Sequence, residues 1–170
     1  MAHCDVDSAS PPRRRIGAVV LVRTLTGSVL LVKPTYKEGW TLPGGAAHQG
    51  EKVSDAAARE LKEETGLIRE ITHYLALDQV PAGDDGSSAE GFNIVVDGGT
   101  LTPAEAGSVA IPASASDELS GLTWVPLEQL GGYTVPYQER RIRQAYAAAQ
   151  VGLRLPLLDH GRAIGDRARD

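Results

Sequence analysis

Residues 45–67 read GAAHQGEKVSDAAARELKEETGL. Within them, the run Arg59-Glu60-Leu61-Lys62-Glu63-Glu64 sets three carboxylates at the spacing that one turn of α-helix would gather. Positions i, i+3 and i+4 are neighbours on a helix surface, so Glu60, Glu63 and Glu64 share a face and can hold a hard cation together. A solvated acidic face is the other reading of such a run. The surroundings favour the cation. Like charges one turn apart repel by about 0.2–0.5 kcal/mol, and only Arg59 and Lys62 lie close enough in sequence to offset them. Ala56 and Ala57, one turn earlier, are small enough to leave a ligand room to approach.

Upstream, Trp40-Thr41-Leu42-Pro43-Gly44-Gly45 supplies an aromatic anchor, a stiff proline and two glycines, a composition that makes a sharp loop with an accessible backbone. Taken with the helix, the spacing is Gly45, five residues, Glu51, seven residues, Arg59-Glu60-Leu61, one residue, Glu63-Glu64, one residue, Gly66-Leu67. This pattern resembles the Nudix box of the Nudix hydrolases, with every specified position filled. The resemblance extends from about residue 16 to about residue 150. It takes in the apolar segment from Ile16 to Val22 and the later run from Leu122 to Leu130.

The resemblance implies an α/β fold, the Nudix α/β/α sandwich around a mixed β-sheet. It also implies hydrolysis of a diphosphate linked to another group, with Mg²⁺ as cofactor and Mn²⁺ able to replace it. On that basis Glu60 and Glu64 are the first metal ligands, Glu63 the next, and the carbonyl of Gly44 a further one. Glu63, Glu64 and Glu118 are the catalytic candidates, because hydrolysis needs a base for the attacking water and family members take it from the box or from a later loop. Glu118, with Asp117, stands shortly before Trp124, where the family often presents a carboxylate; an acidic loop pair can also serve solubility alone. Gly45, Glu51, Arg59 and Gly66 are structural, with Arg59 expected to pair with Glu51 or Glu63 and so clamp the loop to the helix.

For substrate binding the candidates are Arg23, Lys33, Tyr36 and Phe92. Lys37 and Tyr74 are weaker versions of the same idea, and each could instead be a solvated strand end or a core aromatic. Pro81, fourteen positions after Leu67, falls near where members that cleave ADP-ribose often carry a proline. It leans the reading toward ADP-ribose or a nucleotide sugar.

Composition bounds the rest. A chain of 170 residues, 42% of them hydrophobic, suits one substantial core. The formal charge of −5 argues against general nucleic-acid affinity, which needs a basic surface. An acidic protein with an acidic site can take an anionic substrate only through bridging cations, so charge balance points to metal as well. Cys4 is the one cysteine, which rules out an intramolecular disulfide. Arg13-Arg14-Arg15 before an apolar run imitates a signal peptide, but the run stops at Arg23 and reads as a strand. A cytoplasmic location without membrane partners is the expectation, and the Ala-rich C-terminal helix allows a homodimer.

Along the chain, residues 1–15 read as a disordered tail, 16–150 as the domain and 151–170 as an extension. Ile16–Arg23 and Ser28–Pro34 form a hairpin, and a helix runs from about Val53 to Thr65 with Gly66 as its stop. An extended stretch covers about 68–79, and a loop about 81–89. A strand runs over 91–97 and ends at Gly98-Gly99, and a long loop covers 100–116, by its length either a lid or a disordered excursion. A strand near 122–125, a turn at 126–130 and a helix over 136–150 complete the order. Two other function classes remain open: a non-catalytic Nudix-like sensing module, and a prenyl-diphosphate isomerase. The isomerase would need a cysteine in the site, whereas Cys4 falls in the tail.

Overall fold

The computed structural model describes residues 9–10, 13–83 and 89–166. Cys4, most of the expected tail and residues 84–88 of the expected loop lie outside them. The strands that build the sheet are β1 (Arg15–Thr24), β2 (Ser28–Pro34), β3 (Gly44–Ala46), β4 (His73–Val80), β5 (Gly91–Leu101), β6 (Leu119–Pro126) and β7 (Leu155–Pro156). The helices are α1 (Val53–Thr65), α2 (Pro103–Ser108) and α3 (Pro136–Gln150). A small hairpin, β8 (Leu158–Asp159) and β9 (Arg162–Ala163), follows.

The sheet runs β6-β2-β1-β5-β4-β7, with β3 attached to β1. The pair β1–β5 is parallel and the others are antiparallel, so the sheet is mixed. Since β5 occupies one edge of β1 along its length, β2 and β3 must share the other edge. β2 meets β1 only at Arg23↔Val29, and β3 takes Gly17, Ala18 and Val19. The two strands part, and the Gly44-Gly45 backbone enters the gap beside β1. There Gly44 has φ 137° and any Cβ on it would strike the Ala18 carbonyl, so glycine is required.

Strand side chains alternate between faces, and the core divides accordingly. Val19, Leu21, Val29, Leu31 and Val95 pack with Ile142, Ala145 and Tyr146 of α3. Ala18, Val20, Val22, Leu30 and Val96 pack on the opposite side with Ala56, Ala57 and Leu61 of α1. β1 and β2 carry near-continuous apolar runs, Ala18–Val22 and Val29–Val32, because both faces are covered there. α3 therefore spends its Ile142, Ala145 and Tyr146 face within the chain.

α1 ends as its sequence indicates, with Gly66 left-handed at φ 73° and its amide donating to the Lys62 carbonyl. Three expectations need correcting. Gly98-Gly99 does not end β5 but makes a bulge: the register on β1 slips between Leu21 and Arg23, and the strand continues to Leu101. The stretch 100–116 is largely ordered, because Thr102 caps α2 and a 3₁₀ turn follows at Ala113–Ala115. The extended segment expected from 68 starts at His73. The C-terminal extension adds β7 to the sheet edge, and Asp159 in β8 pairs with Lys52 at the head of α1 at 2.6 Å. Among the described residues no helix is long and apolar enough to cross a membrane.

Candidate active site

The site lies where the β3 loop meets the solvent-facing side of α1. Arg59 organises it, donating from Nε and Nη2 to the two Glu51 oxygens at 2.8 and 3.0 Å. Its Nη1 reaches Glu60 at 2.8 Å and Glu63 at 3.2 Å. Glu51 also accepts the His48 amide at 2.8 Å. The Arg59 guanidinium, then that amide, hold the Glu51 carboxyl down at about 2. One cation on α1 thus ties the loop after β3, through Glu51, to the helix that carries Glu60 and Glu63.

Glu60 lies against Gly45, where a side chain of any size would collide with its carboxylate. Glu64, one turn on, accepts the Gly44 amide through Oε2 at 2.8 Å. Glu64 is partly buried, and burial, with repulsion from Glu60 and Glu118, pushes its carboxyl up to about 7 against the pull of that amide and of Lys37. Glu63 is the exposed member of the trio, its side chain 58% accessible. Glu118 is exposed too, but its backbone carbonyl receives the Thr35 amide at 2.9 Å, which brings the segment before β6 to the loop that carries Tyr36. Tyr36 is 75% exposed, and partial desolvation, then Glu64, Glu118 and Glu60, raise its hydroxyl. Tyr36 therefore lies within electrostatic reach of all three carboxylates.

Among the described residues no three acidic, imidazole or thiol groups stand ready-gathered around one point as a metal cluster. The donors nonetheless fit a hard divalent cation. Their oxygens are of the right kind, and Glu64 has lost solvent without gaining enough compensating charge, a state that a cation between Glu60 and Glu64 would relieve. Glu60 would have to turn from Arg59 to take part.

Beside these carboxylates is a cleft of about 440 Å³ that includes Arg15, Tyr36, Lys37, Gly44, Gln138 and Arg141 in its walls. Lys37 is exposed, yet partial desolvation lowers its amine, Glu64 opposes that, and Arg141 and Arg15 add to it; Arg141 is itself paired with Asp78 at 2.6 Å. Lys37 was a secondary candidate in the sequence. Arg15, Tyr137 and Gln138 were not singled out, although Gln138 and Arg141 recur at i,i+3 among the apolar positions of α3, a spacing that marks shared placement.

The remaining candidates fall elsewhere. Arg23 sits at the far end of β1 in an ion pair with Asp97 at 3.2 Å, so its charge is already matched away from the carboxylates. The Lys33 ammonium stands 5.9 Å over the Trp40 ring, which in turn meets Tyr133 edge-on at 5.8 Å. Phe92 lies in β5 between Ile16 and Gln79 and does not border the cleft. Gly45 and Gly66 occupy the close-approach and helix-stop positions already described.

The NUDIX domain family model matches residues 12–149. The chain belongs to the Nudix family. A Bacillus subtilis (strain 168) protein, provisionally named as an 8-oxo-dGTP diphosphatase, is 31% identical over 134 residues, covering 79% of this chain and 81% of that protein. An ADP-ribose pyrophosphatase of Methanocaldococcus jannaschii is 41% identical over 59 residues, a third of this Nudix chain (33%) and 35% of its own. In fold, the Nudix domain is similar to a MutT protein of Methanosarcina mazei Go1, with TM-score 0.64 and 24% identity over 81% of this chain and 95% of that one. It also resembles the NUDIX domain of Shewanella oneidensis NrtR, complexed with ADP ribose, at TM-score 0.64 and 17% identity, covering 85% and 94%. The protein is a Nudix hydrolase, and its sheet between helices is the Nudix fold.

Proposed function

We propose that this hydrolase uses Mg²⁺ to cut the diphosphate linkage of a nucleoside diphosphate derivative, of the ADP-ribose or nucleotide-sugar type. The observation that carries the reading is the partly buried Glu64, repelled by Glu60 and Glu118, at the edge of a cleft whose walls include Arg15 and Lys37. Carboxylates for a cation and cations for a polyanion stand side by side. The net charge of −5 agrees with a small-molecule substrate rather than nucleic acid. Relatives named for 8-oxo-dGTP and ADP-ribose add support for the substrate class.

Glu60 and Glu64 would hold the metal, with Glu63 beside them and the Gly44 main chain as a further oxygen. When bound, the ion offsets the charge of carboxylates and diphosphate and makes a nearby water more acidic. Arg59 keeps Glu60 and Glu63 oriented while staying paired with Glu51. Lys37 and Arg15 draw the phosphates into the cleft. Glu118 accepts the proton of the attacking water, from the loop before β6.

The test is a screen over a panel of diphosphates with Mg²⁺ and with Mn²⁺, in which an added phosphomonoesterase that cannot attack the intact diphosphates frees phosphate from the two phosphomonoester products, with Glu63→Gln and Glu64→Gln as controls. Release of product that disappears in the Glu64 variant is the expected result. No release from any diphosphate, with metal bound normally, would overturn it in favour of a module that binds without turnover.

A further inference from the structure

Gly17 has an ordinary strand backbone, and it is the side chain it lacks that its neighbours use. Arg15, Gly17 and Val19 alternate onto the α3 face of the sheet, where Gly17 stands opposite Asn93 of β5. A Cβ on Gly17 would strike the Asn93 amide oxygen and come within 2.9 Å of Arg15 Nη1. The two side chains lean into that gap, and Arg15 donates from Nη1 to Asn93 Oδ1 at 3.2 Å. Both residues lie in the wall of the cleft of about 440 Å³.

What sets this arginine apart is its partner. The other half-buried arginines among the described residues each meet a carboxylate: Arg23 meets Asp97, Arg59 Glu51, Arg69 Glu105, Arg141 Asp78 and Arg143 Glu139. Arg15 makes no ion pair among the described residues and is held by a neutral amide, on a residue only 8% exposed. Such an amide orients a guanidinium by accepting its N–H and leaves the positive charge unmatched. Withdrawing a charge from water without a counter-ion is unfavourable, and an arriving anion relieves it. The box loop lies close by, because β3 sets Gly44 opposite Val19 and Ala46 opposite Gly17. The guanidinium over Gly17 is thus two residues, about 7 Å along β1, from the level where the Gly44 amide meets Glu64.

We propose that Asn93, over the room left by Gly17, is a positioning residue that holds the Arg15 guanidinium at the cleft with its charge free for the substrate phosphate farther from Glu60 and Glu64. The proposal rests on the reading that the diphosphate is bound beside those carboxylates. The rival account is structural, with Asn93 a buried amide whose oxygen needs a donor and Arg15 the donor at hand. Asn93→Asp separates the two. It keeps an acceptor for Arg15 and so supports the fold, but it matches the charge that the phosphate is to meet.

The test measures binding of the α,β-methylene analogue of ADP-ribose, which cannot be cut between its phosphorus atoms, to the Mg²⁺-loaded protein. Calorimetry compares wild type with Asn93→Asp, Asn93→Ala, Arg15→Ala and the Arg15→Ala/Asn93→Ala pair. Asn93→Asp should weaken binding by about tenfold or more while the melting temperature holds or rises. Asn93→Ala should weaken binding when Arg15 is present and change little once Arg15 is gone. That cycle decides the matter by itself if Asn93→Asp does not fold. Wild-type affinity in Asn93→Asp overturns the proposal, as do equal losses from Asn93→Ala with and without Arg15. No binding of the analogue by wild type overturns it too. The hydrolase reading fails separately: it falls if no diphosphate of the panel is cut, whatever the analogue shows.

Discussion

Glu64 combines two demands that conflict without a cation. It is drawn in by the Gly44 amide and pressed by Glu60 and Glu118, so its charge is poorly compensated. Glu64→Gln keeps an acceptor for that amide while removing the charge. Turnover should fall by at least about a hundredfold, while the melting temperature of the metal-free protein at pH 8 holds or rises. A lower melting temperature with normal turnover would sink the assignment. For Glu118→Gln, exposure makes the fold indifferent, and as the proposed base its loss should reduce kcat by about 10²–10⁴-fold. Near-normal kcat with an unchanged circular dichroism spectrum would remove Glu118 from the mechanism.

At the scale of elements, α2 offers a pH-dependent lock. Glu105 accepts the Thr102 amide at 2.8 Å, while its own amide donates to the Thr102 hydroxyl, a reciprocal cap for a six-residue helix. The Thr102 amide first, then Arg69 at 2.8 Å, hold the Glu105 carboxyl down at about 2, from an ordinary 4.5. A lowered folded-state value means the stabilisation is full above about 4.5 and is lost as pH falls toward 2. A carbon-detected NMR titration should place the Glu105 midpoint near 2, and Glu105→Gln should flatten the loss of stability across that window. A midpoint near 4.5 would show that the cap does not hold the charge. The signal for this helix was present in the sequence as Thr102-Pro103-Ala104-Glu105, a capping box with proline at the first turn. The run of small residues around it favours reading the whole as a loop.

Over the whole molecule, two cores on opposite faces of one sheet do different work. Leu31 is buried on the α3 side and Leu61 on the α1 side, both with no exposure. Either Leu→Ala change should cost about 2–5 kcal/mol in urea unfolding. Only Leu61 lies between Glu60 and Glu64 on the helix that presents them, so Leu61→Ala should also lower kcat/KM, and by more than Leu31→Ala does. Equal kinetic effects would mean that the α1 core does not position the carboxylates.

The local sequence by itself determined α1, its glycine stop, the acidic face and the box spacing that marks the family, because helix periodicity and capping act over a few residues. Arg59 with Glu51 and Glu63 was legible for the same reason, as parts of one loop and one helix. Only the tertiary structure decided that Gly98-Gly99 bulges instead of ending β5, since pairing with β1 outweighs the local preference for a turn. It alone decided that Arg23 is spent on Asp97, that residues 155–156 join the sheet, and that Arg15, Lys37, Gln138 and Arg141 border one cleft. Those residues are far apart in the chain, and their meeting depends on strand order and on the side of the sheet each helix covers. No local pattern encodes that.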